Sequence, residues 1–279
     1  MKSFKIMGRF SALFTIALLI SMSVFAFSSC NSKDDPQSSK SGTFVLVHGA
    51  FQAAYSWNQV KDALQKRGYK VVTVELPGHG EDTTDPAGIT MDSYRDKVVA
   101  AIRAQQGKVI LVGHSMGGMV ISAAAEVAPE KISQLIYVGA FIPKSGQSLS
   151  DIASGDQESH LGPLLAPDSP VTIAISDRSK ITEVFCADAT ETIKQELLAK
   201  YRPDPLIPFA GPVTLTAPRF GITAKSYIRT THDLAVGLKL QDQMIRDAGI
   251  TDVHDIASSH CPHLSRAAEL TDLLISTIK

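Results

Sequence analysis

Lys108-Val109-Ile110-Leu111-Val112-Gly113-His114-Ser115-Met116-Gly117-Gly118 is an apolar run that breaks into a glycine-rich turn, and a helix-like stretch from Met119 to Val127 follows it. An apolar, β-branched run, a tight turn and an amphipathic segment in that order form the strand-turn-helix unit of an α/β sheet. The glycines allow the sharp reversal, keep neighbouring side chains away from Ser115, and present its hydroxyl at the carboxyl end of a strand. Composition alone would produce G-x-S-x-G about once in ten chains of this size, so the placement between strand and helix carries the argument. Ser115 is a candidate nucleophile.

From this unit outward, short apolar runs alternate with amphipathic segments. The runs are Thr43 to His48, Tyr69 to Glu75, Lys108 to Val112, Ile132 to Val138, Lys225 to Arg229 and Val253 to Ala257. Helical patterns cover Trp57 to Arg67, Met91 to Gln106, Met119 to Val127, Leu234 to Ala248 and Ser265 to Ile278. The expected fold is α/β, with a mostly parallel sheet of about six strands flanked by helices. In such a sheet the ligand site lies at the carboxyl ends of the strands. Lys144 to Arg219 breaks the alternation: it is rich in proline and has only short helical patterns, such as Ala189 to Lys200. Ile152, Leu161, Leu164, Leu165, Phe185, Leu197, Leu198 and Phe209 within it need something to pack on, which favours an inserted helical cap over a disordered insert.

A serine hydroxyl needs a base within hydrogen-bond reach and a third group to orient that base. On a strand-turn-helix nucleophile the chain order is Ser, then Asp or Glu, then His. His260, in Ser258-Ser259-His260-Cys261-Pro262-His263, falls just past the last expected strand. His263 is its competitor, but it stands beside Pro262 at a helix start and reads as a packing or capping residue; His254 falls inside a strand pattern. For the acid, Asp233 follows the fifth run in Thr230-Thr231-His232-Asp233, whereas Asp242, Asp247 and Asp255 fall within a helix or strand. Two backbone N–H donors for an oxyanion are expected at Met116, after the nucleophile, and at Ala50, in His48-Gly49-Ala50-Phe51. His48 itself and His79, in Leu76-Pro77-Gly78-His79-Gly80, read as structural.

Taken together, Phe44-Val45-Leu46-Val47-His48-Gly49-Ala50, Leu76-Pro77-Gly78-His79-Gly80, Gly113-His114-Ser115-Met116-Gly117-Gly118, Tyr227-Ile228-Arg229 leading to Asp233, and Ser259-His260 resemble the α/β-hydrolase superfamily. The branch they resemble holds small bacterial carboxylesterases, plant methylesterases and hydroxynitrile lyases. Phe185-Cys186 and Pro203 to Phe209 look like that branch's cap. The resemblance implies Ser115, Asp233 and His260 as a catalytic triad, Ala50 and Met116 as oxyanion donors, and no metal or cofactor. Hydroxynitrile lyases of the branch carry threonine after the first motif's histidine and lysine directly after the catalytic histidine. Gly49 and Cys261 stand there, so ester hydrolysis is expected rather than lyase chemistry. Amide hydrolysis, thioester hydrolysis and haloperoxidation use the same triad, and a hydrolase-like ligand-binding lipoprotein is the alternative outside enzymes.

The 279 residues carry 27 Lys and Arg against 28 Asp and Glu, a net charge of −1, and there is no basic block. Nucleic acid is therefore not an expected partner; a small-molecule ester is. At the N-terminus, Lys2, Lys5 and Arg9 precede an apolar run from Phe10 to Phe27, then Phe27-Ser28-Ser29-Cys30. This reads as an export signal of residues 1–30; about 18 apolar residues is also the lower limit of a membrane span. Phe27 to Cys30 resembles a bacterial lipobox with phenylalanine in place of leucine, implying lipid attachment at Cys30 and anchoring to a bacterial membrane. Residues 31–42 form a polar tether, and Ser32-Lys33-Asp34-Asp35 in it is similar to the acidic export tags of surface lipoproteins. The hydrolase domain is expected over 43–279, with its cap at about 144–219. Cys186 and Cys261 are expected as buried thiols, a disulfide being the alternative.

Overall fold

Residues 42–279 are described by the computed structural model. The expected export signal, Cys30 and residues 31–41 of the tether lie outside the described residues.

Strand β1 (Thr43–Val47) leads through α1 (Asn58–Lys66) to β2 (Lys70–Val74), and α2 (Met91–Arg103) leads to β3 (Val109–His114). Helix α3 (Gly117–Val127) then connects to β4 (Ile132–Val138). An insertion follows, carrying α4 (Leu149–Ala153), β5 (Leu165–Ser169), β6 (Thr172–Ile175), α5 (Ile181–Cys186), α6 (Glu191–Lys200), β7 (Asp204–Pro205) and α7 (Ile207–Ala210). The chain ends with β8 (Ala224–Thr230), α8 (Leu238–Asp247), β9 (Asp252–Ile256), α9 (Pro262–Ser265) and α10 (Ala267–Ser276).

Six strands form one sheet in the order β2-β1-β3-β4-β8-β9, every neighbouring pair parallel. Side chains alternate between its faces with period two. Val45, Val47, Leu111 and Tyr137 pack with Tyr94, Val98, Val120 and Ile121 of α2 and α3. Phe44, Leu46, Ile110, Val112 and Ile136 pack on the other face with Val60 and Leu64 of α1 and Leu270 and Leu274 of α10. Strands β1 and β3 are buried throughout, as continuous apolar runs in a parallel sheet should be. From β1 the chain moves to β2 on one side and returns to β3 on the other. This reversal opens a crevice at their carboxyl ends, between His48-Gly49-Ala50 and His114-Ser115-Met116.

Two expectations are corrected. The insertion is not purely helical: β5, β6 and β7 form a three-stranded antiparallel sheet. Pro167 and Pro205 hid these strands from a pattern reading, yet both sit on outer strands of that small sheet, where proline is tolerated. The helix expected from Leu234 begins only at Leu238, because the Ala235 and Val236 N–H groups turn inward to the Asp233 carboxylate at 2.7 and 2.8 Å. Cys186 and Cys261 are free and buried.

Candidate active site

Ser115 has φ +53°, a left-handed backbone that costs a residue with a β-carbon about 1–3 kcal/mol. The elbow is held from both sides, because the Ser115 carbonyl accepts from Gly118 N at 3.0 Å and Phe141 N at 3.1 Å. Its glycines are steric necessities: a β-carbon at Gly118 would lie 2.2 Å from the Phe141 carbonyl oxygen. One at Gly49 would lie 2.7 Å from the Ser115 β-carbon and 2.9 Å from His114 Nδ1. The lyase-type threonine has no room there.

His260 and Asp233 come together. His260 Nδ1 lies 2.8 Å from Asp233 Oδ2, with both side chains closed to solvent. An ionised carboxylate can only accept, so Nδ1 carries the proton and Nε2 of the neutral ring is left as a lone pair. Asp233 Oδ2 also accepts from the Thr230 hydroxyl at 2.6 Å, while Oδ1 takes the Ala235 and Val236 N–H groups. Four donors thus fix the carboxylate. Gln241, fully buried on α8, binds Thr230 N, Thr230 O and Val236 O at 3.1, 3.1 and 2.8 Å, which ties the end of β8 to the turn bearing Asp233.

His260 is tied to the residue preceding Ser115, since His114 Nε2 donates to the His260 carbonyl at 2.9 Å and the two rings are 4.5 Å apart. The final serine-to-imidazole hydrogen bond is not made in this structure: His260 Nε2 is buried without a partner among the described residues. Such contacts are commonly loose before substrate arrives and tighten in the complex.

Four other histidines are occupied elsewhere. His263 stacks on Trp57 at 4.6 Å and reaches Gln52 Oε1 at 2.9 Å; burial, reinforced by nearby His260, pushes its pKa down to about 3. His114 is held far below the ordinary imidazole range by burial, then by His263 and His260. His48 is lowered by burial and then by His79; it accepts from Leu76 N at 3.2 Å and donates to Gly49 O at 2.8 Å. His254 pairs with Asp252 at 2.9 Å on β9.

The Ala50 and Met116 N–H groups make no hydrogen bond among the described residues, whereas Phe51 N donates to Asp204 Oδ1 at 3.0 Å. Ala50, Ser115 and Met116 line one cavity of about 400 Å³ with Phe51, Phe141, Leu149, Leu161, Leu165, Ile173 and Phe209. Its polar lining comes from Ser150, Ser154, Ser159 and Asp156 and, among the described residues, includes no Lys, Arg or His. A larger cavity of about 490 Å³, between Lys144, Leu215, Phe220 and Met244, touches none of these site residues. Among the described residues no three His, Cys, Asp or Glu side chains are grouped to hold a metal ion. Sequence reading missed Thr230, Gln241 and Asp204. Thr230 lay in the quoted Asp233 segment without a role, and nothing local marks the other two.

The Alpha/beta hydrolase family model matches residues 44–273. The chain belongs to that family. Among relatives of this hydrolase, Methylesterase 7 of Arabidopsis thaliana is 28% identical over 83% of the chain and 94% of its own length. Among solved structures, the pyrethroid hydrolase PytH superposes with a TM-score of 0.75 at 25% identity, over 84% of this hydrolase and 96% of that chain. A polyneuridine aldehyde esterase mutant superposes with a TM-score of 0.77 at 23% identity, over 86% of this hydrolase and all of that chain, and attests the fold.

Proposed function

We propose that this hydrolase is a serine carboxylesterase, and the buried Asp233–His260 pair behind the Ser115 elbow is the observation that carries the reading. His260 Nε2 takes the Ser115 proton as Oγ attacks the ester carbonyl, and the imidazolium formed is stabilised by Asp233. The Ala50 and Met116 N–H groups receive the oxyanion, where one donor is typically worth about 3 kcal/mol. The same proton goes to the departing alcohol. Water, deprotonated by His260, then attacks the acyl-enzyme, and the serine regains its proton as the acid leaves.

The apolar cavity, which no cation lines among the described residues, favours neutral esters of small to medium size. Similarity to a methylesterase and to a pyrethroid hydrolase supports an ester as substrate. Cyanide chemistry finds no support, because Cys261 is a buried thiol, raised well above its ordinary pKa by burial, and no cation stands in its place. A fluorophosphonate probe with p-nitrophenyl acetate kinetics tests the reading. Stoichiometric labelling and turnover, both lost in Ser115→Ala, are expected; failure of the probe to label wild-type protein, or turnover that survives the substitution, rejects it.

The anchor rests on sequence: the basic start, the apolar run and Phe27-Ser28-Ser29-Cys30 support export and lipidation at Cys30, with residues 31–42 as the tether and the catalytic domain from 43. Palmitate should label wild type and not Cys30→Ser; equal labelling refutes this.

A further inference from the structure

We propose that Asp204, a residue of the cap, is a positioning residue for the oxyanion loop: its carboxylate holds the Phe51 N–H and thereby aims the Ala50 N–H. The proposal rests on the esterase reading only for its catalytic consequence.

Asp204 is 1% exposed although it belongs to the insertion. Its Oδ1 accepts from Phe51 N at 3.0 Å, across 153 positions of sequence. Phe51 has φ +59°, the left-handed region that a phenylalanine occupies only when its surroundings impose it. Those surroundings are cap residues. The Phe51 ring stacks on Tyr201 at 5.9 Å and meets Phe209 at 6.2 Å and Phe185 at 6.4 Å. The same cap segment grips the loop after β2, where Arg202 donates to Gly80 O at 2.5 Å and Asp82 O at 3.2 Å.

A bare carboxylate so close to an oxyanion site would oppose the charge that develops there. His79 answers this. Its Nε2 lies 3.1 Å from Asp204 Oδ1, both side chains being almost wholly buried, and its Nδ1 lies 3.1 Å from Pro77 O. The Pro77 carbonyl can only accept, so Nδ1 carries a proton, and Nε2 faces the carboxylate at ion-pair distance without hydrogen-bond geometry, where a second proton on the ring is favoured by the charge it meets. The pair leaves Asp204 able to hold Phe51 with its charge offset. With its N–H committed to Asp204, Phe51 leaves Ala50 as the donor from this loop. Since Phe51 N is bonded through the Ala50 carbonyl carbon, fixing it restrains the Ala50 backbone too. Oxyanion donors act only when already aimed at the position the charge will occupy.

The test combines amide hydrogen exchange of the segment 48–53 with kcat and KM on p-nitrophenyl acetate, using the full-length chain. Wild-type Phe51 N–H should exchange slowly. Asp204→Ala should speed that exchange by about tenfold or more and lower kcat by about tenfold to a hundredfold, with KM within about threefold. Asp204→Asn, which keeps an oxygen for Phe51 N–H, should recover the slow exchange and most of kcat. Exchange unchanged in Asp204→Ala overturns the proposal, as does faster exchange with wild-type kcat or an Asn variant as impaired as Ala. If the Ala variant does not fold, rapid Phe51 exchange in wild type or in Asp204→Asn is the overturning result. Ser115→Ala judges the esterase reading separately: if its turnover persists that reading falls, while the exchange data still decide whether Asp204 holds the loop.

Discussion

Thr230 and His260 donate to one oxygen, Asp233 Oδ2, at 2.6 and 2.8 Å. The hydroxyl at the end of β8 therefore helps to decide where the imidazole can stand. Thr230→Val keeps the shape and removes that donor, and a hydrogen bond to a charged group is worth about 1.5–3 kcal/mol. A fall in kcat of about threefold to thirtyfold is expected, with Thr230→Ser close to wild type. A Val variant with unchanged kcat would refute the role.

The strain at Ser115 predicts a trade between stability and activity. Ser115→Gly relieves φ +53°, whereas Ser115→Ala keeps it, so the Gly variant should be the more stable of the two by about 1 kcal/mol. Both should lose turnover by several powers of ten. Urea denaturation checks the first claim, and an Ala variant equal to or above Gly contradicts it.

Acid should unfold the protein through its buried neutral histidines. His263 titrates near 3 when folded and near 6.5 when unfolded, so below about pH 6.5 the unfolded chain binds a proton that the folded one refuses. The contribution is complete above about pH 6.5 and is lost as pH falls towards the folded value. His48 and His114 act in the same direction. His79 runs the other way: burial lowers it, but Asp204, with Pro77 O and Glu75, more than compensates, so its contribution is complete below about pH 6.5 and fades as pH rises through its folded value. Between about pH 6.5 and 4.5, His263→Gln should lessen the slope of unfolding free energy by about 1.4 kcal/mol per pH unit. Parallel slopes for the two proteins would exclude the assignment.

Substrate charge gives the fourth expectation. Among the described residues the cavity beside Ser115 contains Asp156 and no basic side chain, and Asp156 is held by Gly237 N at 2.7 Å and Glu158 N at 3.0 Å. An acyl group ending in carboxylate would be desolvated there without a partner, at a cost of a few kcal/mol. The kcat/KM for p-nitrophenyl butyrate should exceed that for the hemisuccinate by about a hundredfold; equal values would show that the acyl chain lies elsewhere.

Legibility followed the distance over which each signal acts. The six strands of the main sheet, the elbow at Ser115 and the turns bearing Asp233 and His260 were readable because periodicity and glycine placement are local properties. The small sheet of the cap was not, because Pro167 and Pro205 argue against strands until their outer positions are known. Helix α8 begins late for the same kind of reason: Ala235 and Val236 form good helix patterns, but their N–H groups serve a buried carboxylate instead.

The chain by itself determined which residues end the strands of a parallel sheet, and therefore which serine, aspartate and histidine share one edge. Only the tertiary structure decided how that edge is held: Gln241 reaching back to Thr230, His114 bound to the His260 carbonyl, and Asp204 bound to Phe51. The physical reason is that a hydrogen bond closed over 153 positions leaves no trace in neighbouring residues. It exists only once the cap has packed on the strand ends, where burial makes an unpaired carboxylate or N–H costly enough to select its partner.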